Sequence, residues 1–292
     1  MEVSRRELAQ TLLTRSLDLV EWADGGPTPE QIARSGRFAW ADTERCLAAT
    51  DLARPVLEGT AGARVLDVGA GYLYMSSAFR MVFGDAVTLC TLEHPARTGT
   101  LSNDRFVSAL QELRVELRTA DLAREELPWE EGSFDVVLFC DVIEHMEPTV
   151  VPTVVERLGR LLKPGGRLVI SSPNLPAFCR LASLAFGRGA IQAAAVPLEY
   201  AGGTYGHIRL YGRVDVEELM SETGLRLADW RFLNWEQVFL PRDSLGRRLM
   251  YGGQAIAPLL ARRLATSWIA ACERDAAHAP RRSRPDVELA VR

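Results

Sequence analysis

Val65-Leu66-Asp67-Val68-Gly69-Ala70-Gly71 is the stretch that decides how this chain folds. A short apolar run carrying one acid, followed by two glycines one residue apart, describes a buried strand that turns sharply into a helix. Glycine is needed at such a bend because the backbone takes φ values that other residues resist, and because it must come close to a ligand. The helix behind the bend presents free N–H groups at its start. In a dinucleotide-binding unit the spacing would be G-x-G-x-x-G, the third glycine letting helix and strand pack closely. Here the third position is Tyr74, so that fingerprint fails. Asp67, ahead of the first glycine, points instead to a ligand that carries positive charge.

Outward from this bend, strands and helices alternate from residue 63, which implies a parallel sheet with crossover helices. Strands are expected at 64–68, 86–92, 113–118, 134–140 and 167–172, all rich in valine and leucine. Helices are expected near 74–83, 103–111 and 149–162, and Lys-Pro-Gly-Gly at 163–166 supplies a turn into the fifth strand. Upstream, Leu8, Leu12, Leu13, Leu17 and Val20 recur at helical spacing over 5–22, and a second helix runs from about Asp42 to Leu57. Together they read as an N-terminal helical cap over residues 1–60. Downstream, 176–206 is rich in Ala and Gly and sits where an active-site lid would form. A helix at 214–223, a strand at 225–233, a helical insertion at 242–264 and a final strand at Ser267–Cys272 follow, with 276–292 read as a disordered tail. The expected fold is therefore α/β: a Rossmann-like, doubly wound, seven-stranded sheet over 61–275, mostly parallel with the last strand antiparallel.

The chain has 292 residues, 47% hydrophobic and 25% charged, with a formal net charge of −4. That balance gives no electrostatic case for gripping nucleic acid. The cysteines at 46, 90, 140, 179 and 272 are odd in number and include no C-x-x-C pair. A disulfide framework and a structural zinc site are both disfavoured, which suits a reducing cytosol. Met1–Gln10 is charged throughout, and the apolar stretch Leu181–Leu198 is broken by Gly187, Arg188, Gly189 and Pro197. Neither a signal peptide nor a membrane span is expected, and the protein reads as cytoplasmic.

Five segments in order resemble the class I S-adenosylmethionine-dependent methyltransferases, especially the group around the ubiquinone and menaquinone pathway enzymes. They are Val-Leu-Asp-Val-Gly-Ala-Gly (65–71), Leu-Glu-His (92–94), Ala-Asp-Leu (120–122), Phe-Asp-Val-Val-Leu-Phe-Cys-Asp-Val-Ile-Glu-His (134–145) and Leu-Lys-Pro-Gly-Gly-Arg-Leu-Val-Ile-Ser-Ser-Pro-Asn (162–174). The resemblance implies S-adenosylmethionine as cofactor and a role for each match. Gly69 and Gly71 would run beside its methionine part, and Asp67 would sit near its ammonium. Glu93, 22 residues after Gly71, would accept both ribose hydroxyls. Asp121 would accept from the adenine amino group with Leu122 packed on the ring, and Cys140 and Asp141 would lie near the reacting methyl. Each acid has a plainer reading beside this one: Asp67 as a turn cap, Glu93 as a solvated strand end, Asp121 as a helix cap. Leu73, flanked by Tyr72 and Tyr74, stands where resembling proteins often carry a glycine or small residue, so the helix start is expected to differ there.

Asp141, Glu144 and His145 fall at i, i+3 and i+4, and a helical turn would place them on one face. His207, after the lid, returns toward the same place by the resemblance. Two readings stay open for this set. His145 and His207 are base candidates with Asp141 orienting one of them, His94 being a weaker third. Alternatively Asp141, Glu144, His145 and His207 hold a divalent cation, as in small-RNA 2′-O-methyltransferases and some ubiquinone-pathway O-methyltransferases. The expected activity is methyl transfer to a small molecule, most simply to oxygen of a natural-product, quinone-like or sugar intermediate. Tyr200, Tyr205 and Tyr211 are candidates to line its pocket. A non-catalytic cofactor-binding partner protein and a nicotinamide-dependent oxidoreductase are the competing classes.

Overall fold

The computed structural model describes residues 3–19, 27–185, 198–200, 203–205, 207–234 and 245–274. Val20, most of the expected lid, the start of the 242–264 insertion and the tail at 276–292 lie outside these residues.

The valine- and leucine-rich runs form β1 (Ala63–Val68), β2 (Val87–Glu93), β3 (Val115–Thr119), β4 (Phe134–Cys140) and β5 (Leu162–Pro173), which pair in parallel. A separate antiparallel hairpin joins β6 (Leu198–Tyr200) and β7 (Gly203–Tyr205). β8 (Leu225–Leu233) and β9 (Ser267–Arg274) complete the main sheet, whose order is β3-β2-β1-β4-β5-β9-β8. β9, last in the chain, runs antiparallel to both neighbours. The expected seven-stranded Rossmann-like sheet is what forms.

Strand side chains alternate between two layers of helices, as the two-residue period requires. Val65, Val136 and Leu138 face α1 (Arg5–Leu19), α2 (Pro29–Leu57) and α3 (Tyr74–Phe83). Leu66, Val137 and Phe139 face α6 (Val151–Leu161) and α8 (Arg213–Glu222). Between these come α4 (Thr98–Leu101), α5 (Asp104–Leu113) and α7 (Phe178–Ala185), with α9 (Leu245–Leu260) before the last strand. Each buried Leu, Val or Phe contributes about 1.5–3 kcal/mol relative to exposure, so two filled layers are what hold the sheet between them.

Most boundaries fall within about two residues of the sequence reading, but α4 and α7 were not expected, and two starts differ by more. α2 begins at Pro29, not near Asp42, because Thr28 and Gln31 form a reciprocal capping box at its start. Its first turns are largely exposed, so they carry no apolar period to read. β5 begins at Leu162 instead of 167, and Lys163–Gly166 swell out of it: pairing jumps from Phe134↔Leu162 to Val136↔Arg167. A Cβ on Gly166 would lie 2.9 Å from the Asp135 carbonyl oxygen and 3.0 Å from that of Lys163. Both are backbone atoms held by the sheet. Gly166→Ala is therefore expected to lower stability by about 1–3 kcal/mol, read as a fall in the urea midpoint at unchanged slope; an unmoved midpoint would contradict this packing.

Candidate active site

In the sheet order, β1 lies between β2 and β4, and the chain leaves β1 toward one helical layer and β4 toward the other. Open α/β sheets bind ligands in the crevice this divergence creates, beyond the carboxyl ends of the strands. The glycine bend sits there. Gly69 (φ 70°) donates its N–H to the Leu92 carbonyl at 2.8 Å, and Gly71 takes φ 57°. A Cβ on Gly69 would sit 2.9 Å from Val142 Cγ2, so the loop after β4 closes over this glycine. Leu73 is also left-handed, at φ 59°, and is wholly buried among Phe106, Ala109, Leu110 and Leu113. Strain of about 1–2 kcal/mol at a non-glycine residue is offset by burying a leucine of comparable worth. The bend therefore keeps a left-handed conformation where the departure at Leu73 raised the prospect of a shift.

Asp67 ends up 4% exposed, and its Oδ2 accepts from both the N–H (3.1 Å) and the hydroxyl (2.8 Å) of Ser76. Leu73 gives α3 no side-chain cap, so Asp67 serves the helix start from the neighbouring strand. Burial pushes the Asp67 carboxyl up to about 6 against the pull of those bonds, and Glu93 nearby adds to the rise. Glu93 is 1% exposed and not a solvated strand end. Its Oε1 accepts from the Gly71 N–H at 3.0 Å, and its Oε2 pairs with Arg97 at 2.7 Å. Burial again raises its pKa, and Arg97 and the bend amides work against the rise. Asp121 lies just past β3 as the acceptor of a tight turn, with Oδ1 2.9 Å from the Ala123 N–H and Oδ2 3.6 Å from His94 Nε2. Leu122 packs beside it against the second apolar layer.

At the end of β4 the structure adds a residue that sequence reading missed. Arg45, on α2, is buried; it donates a hydrogen bond from Nη2 to Asp42 Oδ2 (2.9 Å), is ion-paired to Asp42 Oδ1 through Nε (2.8 Å), and meets Asp141 Oδ2 through Nη1. Burial opposes its charge, and the two carboxylates more than restore it. Asp141 itself is left-handed (φ 53°), and its Oδ1 accepts from the Ser171 hydroxyl at 2.7 Å. The helical turn expected over 141–145 is only a short 3-10 turn at Ile143–His145, so Asp141 falls outside it. Asp141 is spent on Arg45 and Ser171, not on a histidine. Cys140 is half-buried with its Sγ 3.8 Å from the Val169 carbonyl, and burial drives its thiol far up, which leaves it inert. Arg45 could have been suspected only from an acid at 42 and a base at 45 on a helix that turns them inward.

Glu144, His145 and His207 do come together. One ligand atom from each lies within 4.8 Å of the others, and the two imidazoles meet edge to face with centroids 5.0 Å apart. His207 is brought there by the backbone: the N–H groups of Ile208 and Arg209 both donate to the Glu144 carbonyl, at 2.6 and 3.3 Å. Tyr211, four residues on, is buried, and its hydroxyl has no hydrogen-bond partner among the described residues. Burial raises its pKa, Arg209 lowers it, and Asp215 and Glu144 raise it further. The side chains of Tyr200 and Tyr205 lie outside the described residues.

The fold and the site together are a Rossmann-like sheet with buried acids at the tips of β1 and β2 around a glycine bend. Residues 40–229, well over half of the chain, match the family described as "Methyltransferase domain", and the chain belongs to that family. It is 33% identical over 121 residues to the 27-O-demethylrifamycin SV methyltransferase of Amycolatopsis mediterranei, covering 41% of this chain and 42% of that protein. It is 38% identical over 116 residues to the ubiquinone biosynthesis O-methyltransferase of Xanthomonas oryzae pv. oryzae, covering 39% and 44%. The chain thus spans less than half the length of these curated relatives. In fold it is similar to geranyl diphosphate methyltransferase solved in complex with SAM, with TM-score 0.53, 14% identity, and 88% and 94% of the two chains covered.

The raised carboxyl of Asp67 fixes a direction for pH. Its folded value of about 6 lies above the ordinary 3.8. The stability this group lends is thus complete below pH 4 and is lost as pH rises through 6. Asp67→Asn is expected to flatten that decline in a series of thermal melts. A ligand that places an ammonium beside the ionised carboxylate is expected to bind about tenfold more tightly at pH 7 than at pH 5, measured by calorimetry. A pH-independent affinity would place the ammonium elsewhere.

Proposed function

We propose that this chain binds S-adenosylmethionine in the β1/β4 crevice and transfers its methyl group to an oxygen of a small molecule, with His145 and His207 handling the acceptor's proton. The observation that carries the reading is the pairing of two sites around one crevice: buried acids and a glycine bend at the tips of β1 and β2, and an imidazole pair just beyond β4. The family match supports the cofactor, and the names of the two relatives support oxygen as the acceptor atom.

The residues present suit the cofactor. Asp67 is a buried acid that gains from a neighbouring cation, Glu93 is a buried acceptor for hydroxyls, and a Cβ position at Gly71 meets only the Gly69 carbonyl oxygen, at 3.8 Å, so the bend is open to a guest there. Asp121 would take the adenine amino group beside Leu122. When bound, S-adenosylmethionine supplies a methyl on a positively charged sulfur that departs as a neutral thioether. The protein's own share is chiefly alignment, holding the acceptor oxygen about 3 Å from that carbon along the line of displacement. An imidazole ring nitrogen of His145 or His207 takes the hydroxyl proton as the oxygen attacks, the general-base role to which an imidazole is suited. The Glu144 carbonyl holds the His207 segment beside His145 by accepting from the Ile208 and Arg209 N–H groups.

A second reading has its own observation. Glu144, His145 and His207 have ligand atoms close enough to converge on one divalent cation, which would bind the acceptor oxygen and lower its pKa. Asp141 is not part of that set, because Arg45 and Ser171 hold it.

His145→Ala and His207→Ala are each expected to lower turnover by about a hundredfold while calorimetry shows cofactor affinity nearly unchanged; full activity in the double variant removes the histidines from the reaction. Prolonged dialysis against a chelator separates the two readings. Activity that survives it supports the base, and activity lost then restored by Mg²⁺ or Mn²⁺ supports the metal.

A further inference from the structure

α9 presents a row of large aliphatic side chains to solvent. Leu245 (75% exposed), Leu249 (67%), Ile256 (58%), Leu259 (83%) and Leu260 (85%) fall on one face at the spacing of successive turns, along a helix about 24 Å long. Scattered exposed leucines are ordinary on a protein surface, but five large aliphatic residues on one helix face, interrupted only at Gly252, mark a place where something binds.

The helix is not free to roll and bury this face. Its opposite side is fixed by polar bonds through Gln254, which is wholly buried. Gln254 Nε2 donates to Asn234 Oδ1 and to the Leu264 carbonyl, both at 2.9 Å, and its Oε1 accepts from the Cys179 N–H at 2.9 Å. Gly253 lies so close to Phe178 of α7 that a Cβ there would stand 2.3 Å from the ring. Turning the stripe inward would break three hydrogen bonds to a buried amide, at a cost of roughly 1–3 kcal/mol for each group left unsatisfied. The outward direction of the leucines is thus built in.

Charge narrows the occupant. Residues 244–272 contain Arg247, Arg248, Arg262 and Arg263 and no Asp or Glu, in a chain whose formal net charge is −4. Arg248 near one end of the stripe, and Arg262 and Arg263 beyond the other, are exposed. A second copy of the chain would set one basic segment against another, which disfavours self-association through this face. A protein partner is usually gripped by Trp, Tyr and Arg anchors seated in pockets, whereas this stripe is Leu and Ile only. Aliphatic side chains flanked by arginines match acyl chains beneath anionic headgroups.

We propose that α9 seats this protein in the plane of an anionic lipid surface, with the leucine stripe at the acyl boundary and the flanking arginines at the headgroups. No helix among the described residues is long and apolar enough to cross a membrane, so this is attachment to a surface. The inference stands apart from the methyl-transfer reading, and its test does not measure activity.

The test is flotation of the full chain with vesicles of phosphatidylcholine alone and of phosphatidylcholine mixed with phosphatidylglycerol. Binding is expected on the mixed vesicles at least about tenfold above the neutral ones, and it should weaken in high salt. The double variant L249E/L259E should reduce it by about tenfold or more, and R262Q/R263Q by several-fold. All four positions are solvent-exposed, so unchanged thermal melts and circular dichroism are expected and keep a lost signal from being mistaken for unfolding. Absence of vesicle binding, equal binding to both lipid mixtures, or binding indifferent to these substitutions overturns the proposal. So does a wild-type dimer that L249E/L259E splits into monomers without any vesicle binding, since a second copy would then be what covers the stripe.

Discussion

The backbone bend between β1 and α3 is the constraint on which the rest of the crevice depends. Three residues within five positions, Gly69, Gly71 and Leu73, take left-handed φ values, and each is held from a different direction. The Gly69 N–H is anchored to β2, its Cα hydrogens are covered by Val142 in the loop after β4, and Leu73 is pinned by the α5 cluster. Asp67 then ties the start of α3 back to β1 through Ser76. Because three neighbouring elements over-determine the bend, it persists with a bulky residue in a conformation that ordinarily favours glycine. The two buried acids owe their positions to it, Asp67 through Ser76 and Glu93 through the Gly71 N–H.

Electrostatics in this crevice lean acidic. Asp42, Asp67, Glu93 and Asp141 cluster around the ends of β1, β2 and β4, and among the described residues the bases bonded to them are Arg45 and Arg97. Burial raises the carboxyls of Asp42, Asp67 and Glu93, the expected response of acids that lack full compensation in a poorly solvated place. Such a site gains from a cationic guest. Arg45 has a second consequence: it makes α2 part of the crevice wall, joining the N-terminal helices to the end of β4 through Asp141. Cutting that link would leave a buried charge unmatched, the costly outcome for a buried ion pair.

The imidazole pair shows how a site is assembled from distant parts of a chain. His145 sits in the short turn after β4, and His207 arrives from a segment that follows α7 and precedes α8. What joins them is backbone, the Ile208 and Arg209 amides on the Glu144 carbonyl, so the approach does not depend on which side chains flank the histidines.

The sequence by itself determined the sheet, the bend and the acids at its tips. Strand composition, a period of two and a glycine pair are local signals, and local sterics enforce them whatever the surroundings. β1, β4 and α3 lie where the pattern placed them for that reason, and the start of α2 was missed because its exposed first turns have no apolar period even though Thr28 and Gln31 spell its cap. Only the tertiary structure decided the partners of charged groups: that Asp141 bonds Arg45 and Ser171 instead of a histidine, that Glu93 accepts from the Gly71 N–H, and that α9 turns its leucines outward. Those outcomes depend on which elements pack together and on how far a buried charge must reach for a counterion, and residue spacing along one chain encodes neither.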